Sequence, residues 1–327
     1  MQKNKGVTKM FKIVLLDSMT LGSDIDLSML KSFGDVEIFE KTLDSQIQER
    51  IYNKDIVLVN KVSLKEVLKS QNKLKLICIL ATGTNNVDLE LAKEKNIAVT
   101  NVAGYSTASV AQHTFAMLLY IVEKLRYYDE YVKNGDYCNS ECFTHLGRDF
   151  YELSGKTFGI IGLGEIGRTV GNIAKAFGCK VLYYSTSGKN NSNDFERVDK
   201  GELFKNSDII SIHAPLNENT RNLIGYAELR EMKREAILLN LGRGGIVKES
   251  DLVRALNENI ISAAALDVLE VEPMKKDSPF FDLVEKEKLF VTPHIAWASI
   301  EARKRLLNEV VLNIEAFING EKRNRVV

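Results

Sequence analysis

The sequence predicts an α/β protein of two doubly wound parallel-sheet domains, the second inserted into the first, and three observations carry that prediction. Short apolar runs alternate with amphipathic stretches twice over, once in the first third of the chain and again from Thr157 to about Pro293. A long amphipathic segment and an irregular polar stretch separate the two series. The last helix, about Ser299–Asn319, has no strand after it, so its natural place is back on the first lobe. That assigns residues 1–105 and 298–327 to one domain and residues 106–297 to the other. The length of 327 residues agrees, being too great for one ordinary core.

Taken in order, Met1–Lys9 is polar and lysine-dotted and reads as a frayed leader. It is not a signal peptide, because the apolar run Ile13–Leu16 is stopped at once by Asp17. Strands are expected at Phe11–Leu16, Val36–Phe39, Asp55–Val59, Lys75–Leu80 and Ile97–Val99, separated by amphipathic stretches such as Ser63–Ser70. From Ser106 to about Lys133 the spacing of Val110, Phe115, Leu118, Leu119, Val122 and Leu125 predicts one long helix, long enough to bridge two domains. Asn134–Leu153 is polar, aromatic and irregular, and reads as an excursion to a subunit interface. The second series has strands near Thr157–Ile161, Lys180–Tyr184, Asp208–Ile212, Ala236–Asn240, Ser262–Leu266 and Leu289–Val291.

Composition excludes several classes of function. Forty-four basic and 44 acidic side chains cancel, and no long basic run is present, so the footprint of a nucleic-acid binder is missing. The longest apolar runs, such as Ile209–Ile212 and Ala263–Leu266, fall far short of the ~20 residues a membrane helix needs. Cys78, Cys138, Cys142 and Cys179 are few and scattered, which suits reduced thiols in the cytoplasm. Cys138 and Cys142 look like half a metal site, but no second ligand pair lies nearby and no metal is expected.

The strongest local signal is Gly162-Leu163-Gly164-Glu165-Ile166-Gly167, directly after one predicted strand and opening a helix. In that setting the first glycine makes a tight turn, the second admits a pyrophosphate, and the third lets helix and strand pack closely. The helix N-terminus adds free N–H groups and a positive dipole end. Such Rossmann-like sites have an acidic residue about 20 positions on for the ribose hydroxyls. Here the strand ends in Ser185-Thr186-Ser187-Gly188-Lys189, with no carboxylate. Hydroxyls and a lysine suit a 2′-phosphate as well as an unphosphorylated ribose, so NAD and NADP both stay open, with a slight lean to NAD.

Three further residues each follow a predicted strand: Arg243, Glu272 and His294. Strand carboxyl ends in such sheets face the ligand crevice. An arginine fork can bind the carboxylate or carbonyl of a 2-keto acid, and a histidine can give a proton to the oxygen that hydride attack makes negative. A carboxylate beside that histidine would favour the imidazolium. Singly, Arg243 reads equally as a solvated turn residue, Glu272 as a strand terminator and His294 as a core histidine. Their combination behind a dinucleotide loop favours chemistry. His213 stands at another strand end, where it either flanks the cofactor or packs, and His113 on the long helix reads as structural.

At this point the chain resembles the D-isomer-specific 2-hydroxyacid dehydrogenase family over essentially all of residues 10–320. The motifs are Gly162–Gly167, Ser211-Ile212-His213-Ala214-Pro215-Leu216, Asn240-Leu241-Gly242-Arg243-Gly244-Gly245, Leu266-Asp267-Val268 with Glu272-Pro273, and Thr292-Pro293-His294. The resemblance implies that Arg243 binds substrate, Glu272 pairs with the histidine and His294 transfers the proton. It places Asp267 at the nicotinamide carboxamide, His213, Ala214, Leu241 and Gly242 beside the cofactor, and the backbone amides of Thr82-Gly83-Thr84 on the substrate carboxylate. It also implies a cofactor lobe inserted in a substrate lobe, and a homodimer formed through the cofactor lobe. Pro293–Ala298 and Thr100–Ser106 look most like glycerate dehydrogenases, also called hydroxypyruvate reductases, with Trp297 either narrowing the site or packing. D-Lactate and phosphoglycerate dehydrogenase activities stay open, as does a non-catalytic NAD(H)-sensing protein. Formate dehydrogenase has glutamine where Glu272 stands.

Overall fold

The computed structural model describes residues 10–71 and 73–327. The leader reading of Met1–Lys9 therefore lies outside the described residues. The chain divides into two compact units, one made of the chain up to Ser106 together with Ala298–Val327, the other of Thr107–Trp297.

In chain order the first unit contains β1 (Phe11–Leu15), β2 (Gly34–Ile38), α1 (Asp44–Ile51), β3 (Ile56–Val59), β4 (Leu76–Ile79), α2 (Leu89–Glu94) and β5 (Ala98–Thr100). The second contains α3 (Thr107–Val122), α4 (Leu125–Lys133), β6 (Thr157–Ile161), α5 (Glu165–Ala176), β7 (Lys180–Tyr184), β8 (Glu196–Arg197) and α6 (Lys200–Asn206). It continues with β9 (Ile209–Ile212), α7 (Tyr226–Glu231), β10 (Ile237–Asn240), α8 (Glu249–Asn257), β11 (Ala263–Leu266) and β12 (Leu289–Val291). The chain then returns to the first unit as α9 (Ile300–Ile318), which packs on β4.

The first sheet runs β2-β1-β3-β4-β5 and is parallel throughout. Strands β3, β4 and β5 are buried throughout, which is why they read as apolar runs rather than alternating ones, whereas the edge strand β2 is largely exposed. Asp17 closes β1 and accepts the backbone amides of Asn60, Lys61 and Val62, so the charge that ends the apolar run also fastens the end of β3. After α9 the chain forms an antiparallel bridge from Arg325 to Thr100, a pairing for which the polar tail gave no signal.

The second sheet is parallel and runs β12-β11-β10-β9-β6-β7-β8. Phe158, Ile160, Val181, Tyr183 and Leu239 pack to one side with residues of α3 and α5, while Ile161, Leu182, Ile210, Ile212 and Leu238 pack to the other with residues of α6, α7 and α8. Strand order reverses between β6 and β9, and in such sheets the crevice at the reversal is where ligands bind.

One expectation needs correction. The predicted helix from Ser106 to Lys133 is two helices, α3 and α4, broken at Lys124, which takes the left-handed φ of 55°. A left-handed residue ends the i to i−4 ladder and turns the chain. Both helices belong to the second unit. The amphipathic stretch Ser63–Ser70 folds as a turn followed by a 3-10 turn, Leu68–Ser70.

Candidate active site and dinucleotide cradle

Six strand ends of the second sheet bear the candidate residues, and parallel pairing places all six on one edge. β6 runs into Gly162, β7 into Ser185, β9 into His213, β10 into Leu241, β11 into Asp267 and β12 into Thr292.

At the reversal point Gly162 has φ 93°, and a Cβ there would stand 2.8 Å from the Ala214 backbone nitrogen. A Cβ on Gly167 would lie 2.3 Å from the Gly162 carbonyl oxygen, so α5 approaches β6 as only glycine permits. A Cβ on Gly164 would meet no heavy atom within 4 Å. That position faces open space beside the start of α5. Helices α2, α6 and α9 carry side-chain caps from Asp88, Asp199 and Ser299, whereas α5 has Gly164 at its cap and no side-chain bond, with Glu165 and Ile166 in its first turn. Helices α4 and α8 also lack a side-chain cap, but only α5 starts from a glycine of the strand–turn–helix loop, where uncapped amides could receive an anion.

At the end of β7 the Ser185 hydroxyl is buried and has no hydrogen-bond partner among the described residues. Such an orphan is costly unless a ligand satisfies it. An open glycine, an uncapped helix and an orphaned hydroxyl where a ribose belongs together fit a dinucleotide.

His213 lies past β9, and its Nε2 is 2.8 Å from Ser211 Oγ while Nδ1 is buried without a partner among the described residues. Burial pushes its pKa down to about 3, so the ring is neutral in ordinary buffers. Next door, a Cβ on Gly242 would meet the Ala214 carbonyl oxygen at 2.8 Å, so the loops after β9 and β10 are in close backbone contact. Gly244 is tighter still, since a Cβ there would overlap the Leu269 carbonyl oxygen outright. Gly242 thus holds the Arg243 loop against the loop after β9, and Gly244 holds it against the loop that carries Glu272. Arg243 itself is half-buried, with Nη1 donating to the Gly242 carbonyl at 2.8 Å.

Glu272 and His294 meet directly. Glu272 Oε2 is 2.7 Å from His294 Nδ1, and Glu272 Oε1 accepts the Leu269 amide at 3.0 Å. A carboxylate only accepts, so Nδ1 carries the hydrogen of this bond and Nε2 is the nitrogen left to exchange protons with a ligand. His294 adopts a left-handed φ of 56°, unusual for a residue with a side chain.

Asp267 is almost wholly buried, and its carboxylate accepts from Thr292 Oγ1 at 2.7 Å, the Ile295 amide at 2.8 Å and the Ala296 amide at 2.9 Å. Thr292 in turn lies 3.1 Å from Nε2 of His113 on α3. Sequence reasoning missed the parts played by Thr292 and His113, because their contact spans 179 residues and leaves no local pattern. Trp297 packs against the core beneath α3.

Thr82-Gly83-Thr84 belongs to the first unit, just after β4. The Thr82 hydroxyl donates to the Val102 carbonyl at 2.9 Å and the Thr82 carbonyl accepts from Asn101 Nδ2 at 2.7 Å, which ties the turn to the segment after β5.

Among the described residues no group of three or more His, Cys, Asp or Glu is placed to hold a metal ion, and no helix is long and apolar enough to cross a membrane.

Residues 115–296 match the family profile described as D-isomer specific 2-hydroxyacid dehydrogenase, NAD binding domain. The chain is 38% identical to a hydroxypyruvate reductase of Blautia hydrogenotrophica, across 96% of this chain and 99% of that protein. It is 35% identical to a glycerate dehydrogenase of Methylorubrum extorquens, across 96% and 98% respectively. Among solved structures it superposes on an acyclic imino acid reductase in complex with NADPH and D-Arg, with a TM-score of 0.85, 32% identity, and coverage of 97% of this chain and 100% of that one.

Proposed function

Because this chain belongs to the D-isomer-specific 2-hydroxyacid dehydrogenase family, we propose that it reduces hydroxypyruvate to D-glycerate, reversibly, with a reduced nicotinamide dinucleotide. The single observation that carries the reading is the 2.7 Å contact between Glu272 Oε2 and His294 Nδ1. It leaves an imidazole with one nitrogen committed and one available for proton transfer at the edge of the sheet that bears the dinucleotide loop.

A reduced nicotinamide dinucleotide held in this cradle would supply hydride to C2 of the keto acid. His294 Nε2 gives a proton to the oxygen that becomes the hydroxyl, and Glu272 holds the ring through Nδ1. In the reverse direction the same nitrogen takes the proton. The Arg243 guanidinium binds the polar end of the acid, and the amides of Thr82-Gly83-Thr84 serve as receptors for its carboxylate. Gly164 and the first turn of α5 receive the pyrophosphate, and Ser185 receives a ribose hydroxyl. The neutral His213, with Ala214, Leu241 and Gly242, borders the nicotinamide half, where Asp267 is the polar group for the carboxamide. A buried serine in place of a carboxylate carries no charge to repel a 2′-phosphate, so both NADH and NADPH are expected to serve, NADH somewhat better.

A homodimer is proposed through α4 and the excursion after it. α4 buries none of its side chains, and Phe143 and Leu146 are 88% and 79% exposed. Covering such a surface with a second copy would remove apolar area from water. Sedimentation equilibrium tests this, and a monomer at micromolar concentration would refute it. A cytoplasmic location is proposed from the four cysteines, all unpaired in the structure.

The deciding experiment is oxidation of NADH and of NADPH, followed by absorbance, with hydroxypyruvate, glyoxylate, pyruvate and phenylpyruvate in turn. Fastest turnover of hydroxypyruvate supports the assignment. Preference for pyruvate would make the protein a D-lactate dehydrogenase, and silence on every acid from protein that still binds NADH would mark a dinucleotide-sensing protein.

A further inference from the structure

We propose that His113 is a positioning residue for the proton-transferring loop, acting on His294 through Thr292 and Asp267; the role rests on the reading of His294 given above. The argument begins with hydrogen counting. The Asp267 carboxylate can only accept, so the 2.7 Å bond to Thr292 uses the single hydroxyl proton of that threonine. The Thr292 oxygen must then accept from His113, 3.1 Å away, which fixes a proton on His113 Nε2. The same nitrogen lies 3.7 Å from Asp267 Oδ1. A directed chain of hydrogen bonds therefore runs from α3 to Thr292 to Asp267, and the backbone amides of Ile295 and Ala296 converge on the same carboxylate.

His294 sits inside this bracket. Thr292 is two residues before it, Ile295 and Ala296 are just after it, and all three are fastened to one buried carboxylate. Its left-handed φ of 56° is unfavourable for a residue with a Cβ and persists only where the surroundings determine it. Those surroundings are the bracket, to which α3 contributes His113 at Thr292 and also Ser109, whose hydroxyl donates to the Ala296 carbonyl at 2.6 Å. Without its donor, the Thr292 oxygen loses a partner in a buried setting, the hydroxyl is free to turn from Asp267, and the backbone on both sides of His294 loosens. The imidazole would then spend less time on Glu272.

The test compares His113→Leu, which removes the donor, with His113→Gln, whose amide nitrogen falls near the position of imidazole Nε2. For His113→Leu we expect kcat for keto-acid reduction to fall about 10- to 100-fold, with KM and the NADH dissociation constant nearly unchanged. Amide hydrogen exchange at Ile295 and Ala296 should speed up about tenfold or more, and His113→Gln should restore most of both. Thr292→Val, of equal size, should repeat the His113→Leu pattern and serves if that variant fails to fold. Unchanged exchange at Ile295 and Ala296, a loss shared equally by kcat and NADH affinity, or no rescue by glutamine would each overturn the proposal. His294→Asn is assayed alongside. If it turns over at the parent rate, the reading of His294 fails, while the exchange measurement still decides whether His113 holds the loop.

Discussion

Glu272 and His294, 22 residues apart in sequence and on the loops after β11 and β12, share a 2.7 Å bond that commits Nδ1 of the imidazole. Both side chains keep some exposure, 30% and 22%, so the pair can reach a ligand while remaining ordered. Its worth to the reaction lies in ring orientation and charge, and a neutral amide keeps the shape while losing the charge. Glu272→Gln should lower kcat by about 10- to 100-fold, in line with the size of general acid–base contributions, and leave NADH affinity within about twofold. Steady-state kinetics with a fluorescence titration of NADH checks the split.

The glycines of the dinucleotide loop separate binding from folding. Gly164→Ala adds a methyl to open space, so the melting temperature should stay within a few degrees while the NADH dissociation constant rises about tenfold or more, since the methyl stands where a pyrophosphate must pass. Gly167→Ala forces a carbon to 2.3 Å from the Gly162 carbonyl oxygen and should cost about 1–3 kcal/mol of stability. Thermal melts of both variants without cofactor are the check, and equal melting temperatures would refute the division.

Ser185 gives a handle on cofactor choice. A carboxylate at this position would bond the ribose hydroxyls and repel a 2′-phosphate, so Ser185→Asp should reduce kcat/KM with NADPH about 10- to 100-fold more than with NADH. Equal effects on the two cofactors would mean that the ribose lies elsewhere.

His213 predicts an acid limb of stability. Its pKa is about 3 in the folded chain against 6.5 when unperturbed. Because the folded value is the lower, the unfolded state takes up the proton first. The contribution is intact above pH 6.5 and drains away as pH falls from there toward 3. The slope approaches about 1.4 kcal/mol per pH unit inside that window. Urea midpoints of the parent and of His213→Gln, measured across it, should diverge, the parent losing stability faster.

Much of this was legible in the sequence, for identifiable reasons. Strands β6, β7 and β12 fall at the bounds expected for them; in β6 and β7 the buried residues form an unbroken apolar run, and in the edge strand β12 all three residues are apolar although only half-buried. The short β8, Glu196–Arg197, was not legible, since two charged residues on an edge strand carry no burial signal. Nor was the break at Lys124, where neither glycine nor proline marks the turn and Leu125 continues the apolar spacing although it is 49% exposed. In the candidate site, the residues proposed to face a ligand stood out by type and position after strands. Those that hold them in place did not, because Thr292 and His113 look ordinary and their pairing exists only in three dimensions.

With the proton-transfer role proposed for His294, its left-handed backbone sets heat resistance against turnover at a single position. Glycine pays no steric penalty at φ 56°, so replacing His294 with glycine should relieve strain of about 1 kcal/mol, partly offset by the lost contact with Glu272. A library screened for thermal survival alone would therefore tend to discard this histidine. Selection for stability in this enzyme has to be coupled to an activity screen, or the most durable variants will be the inactive ones.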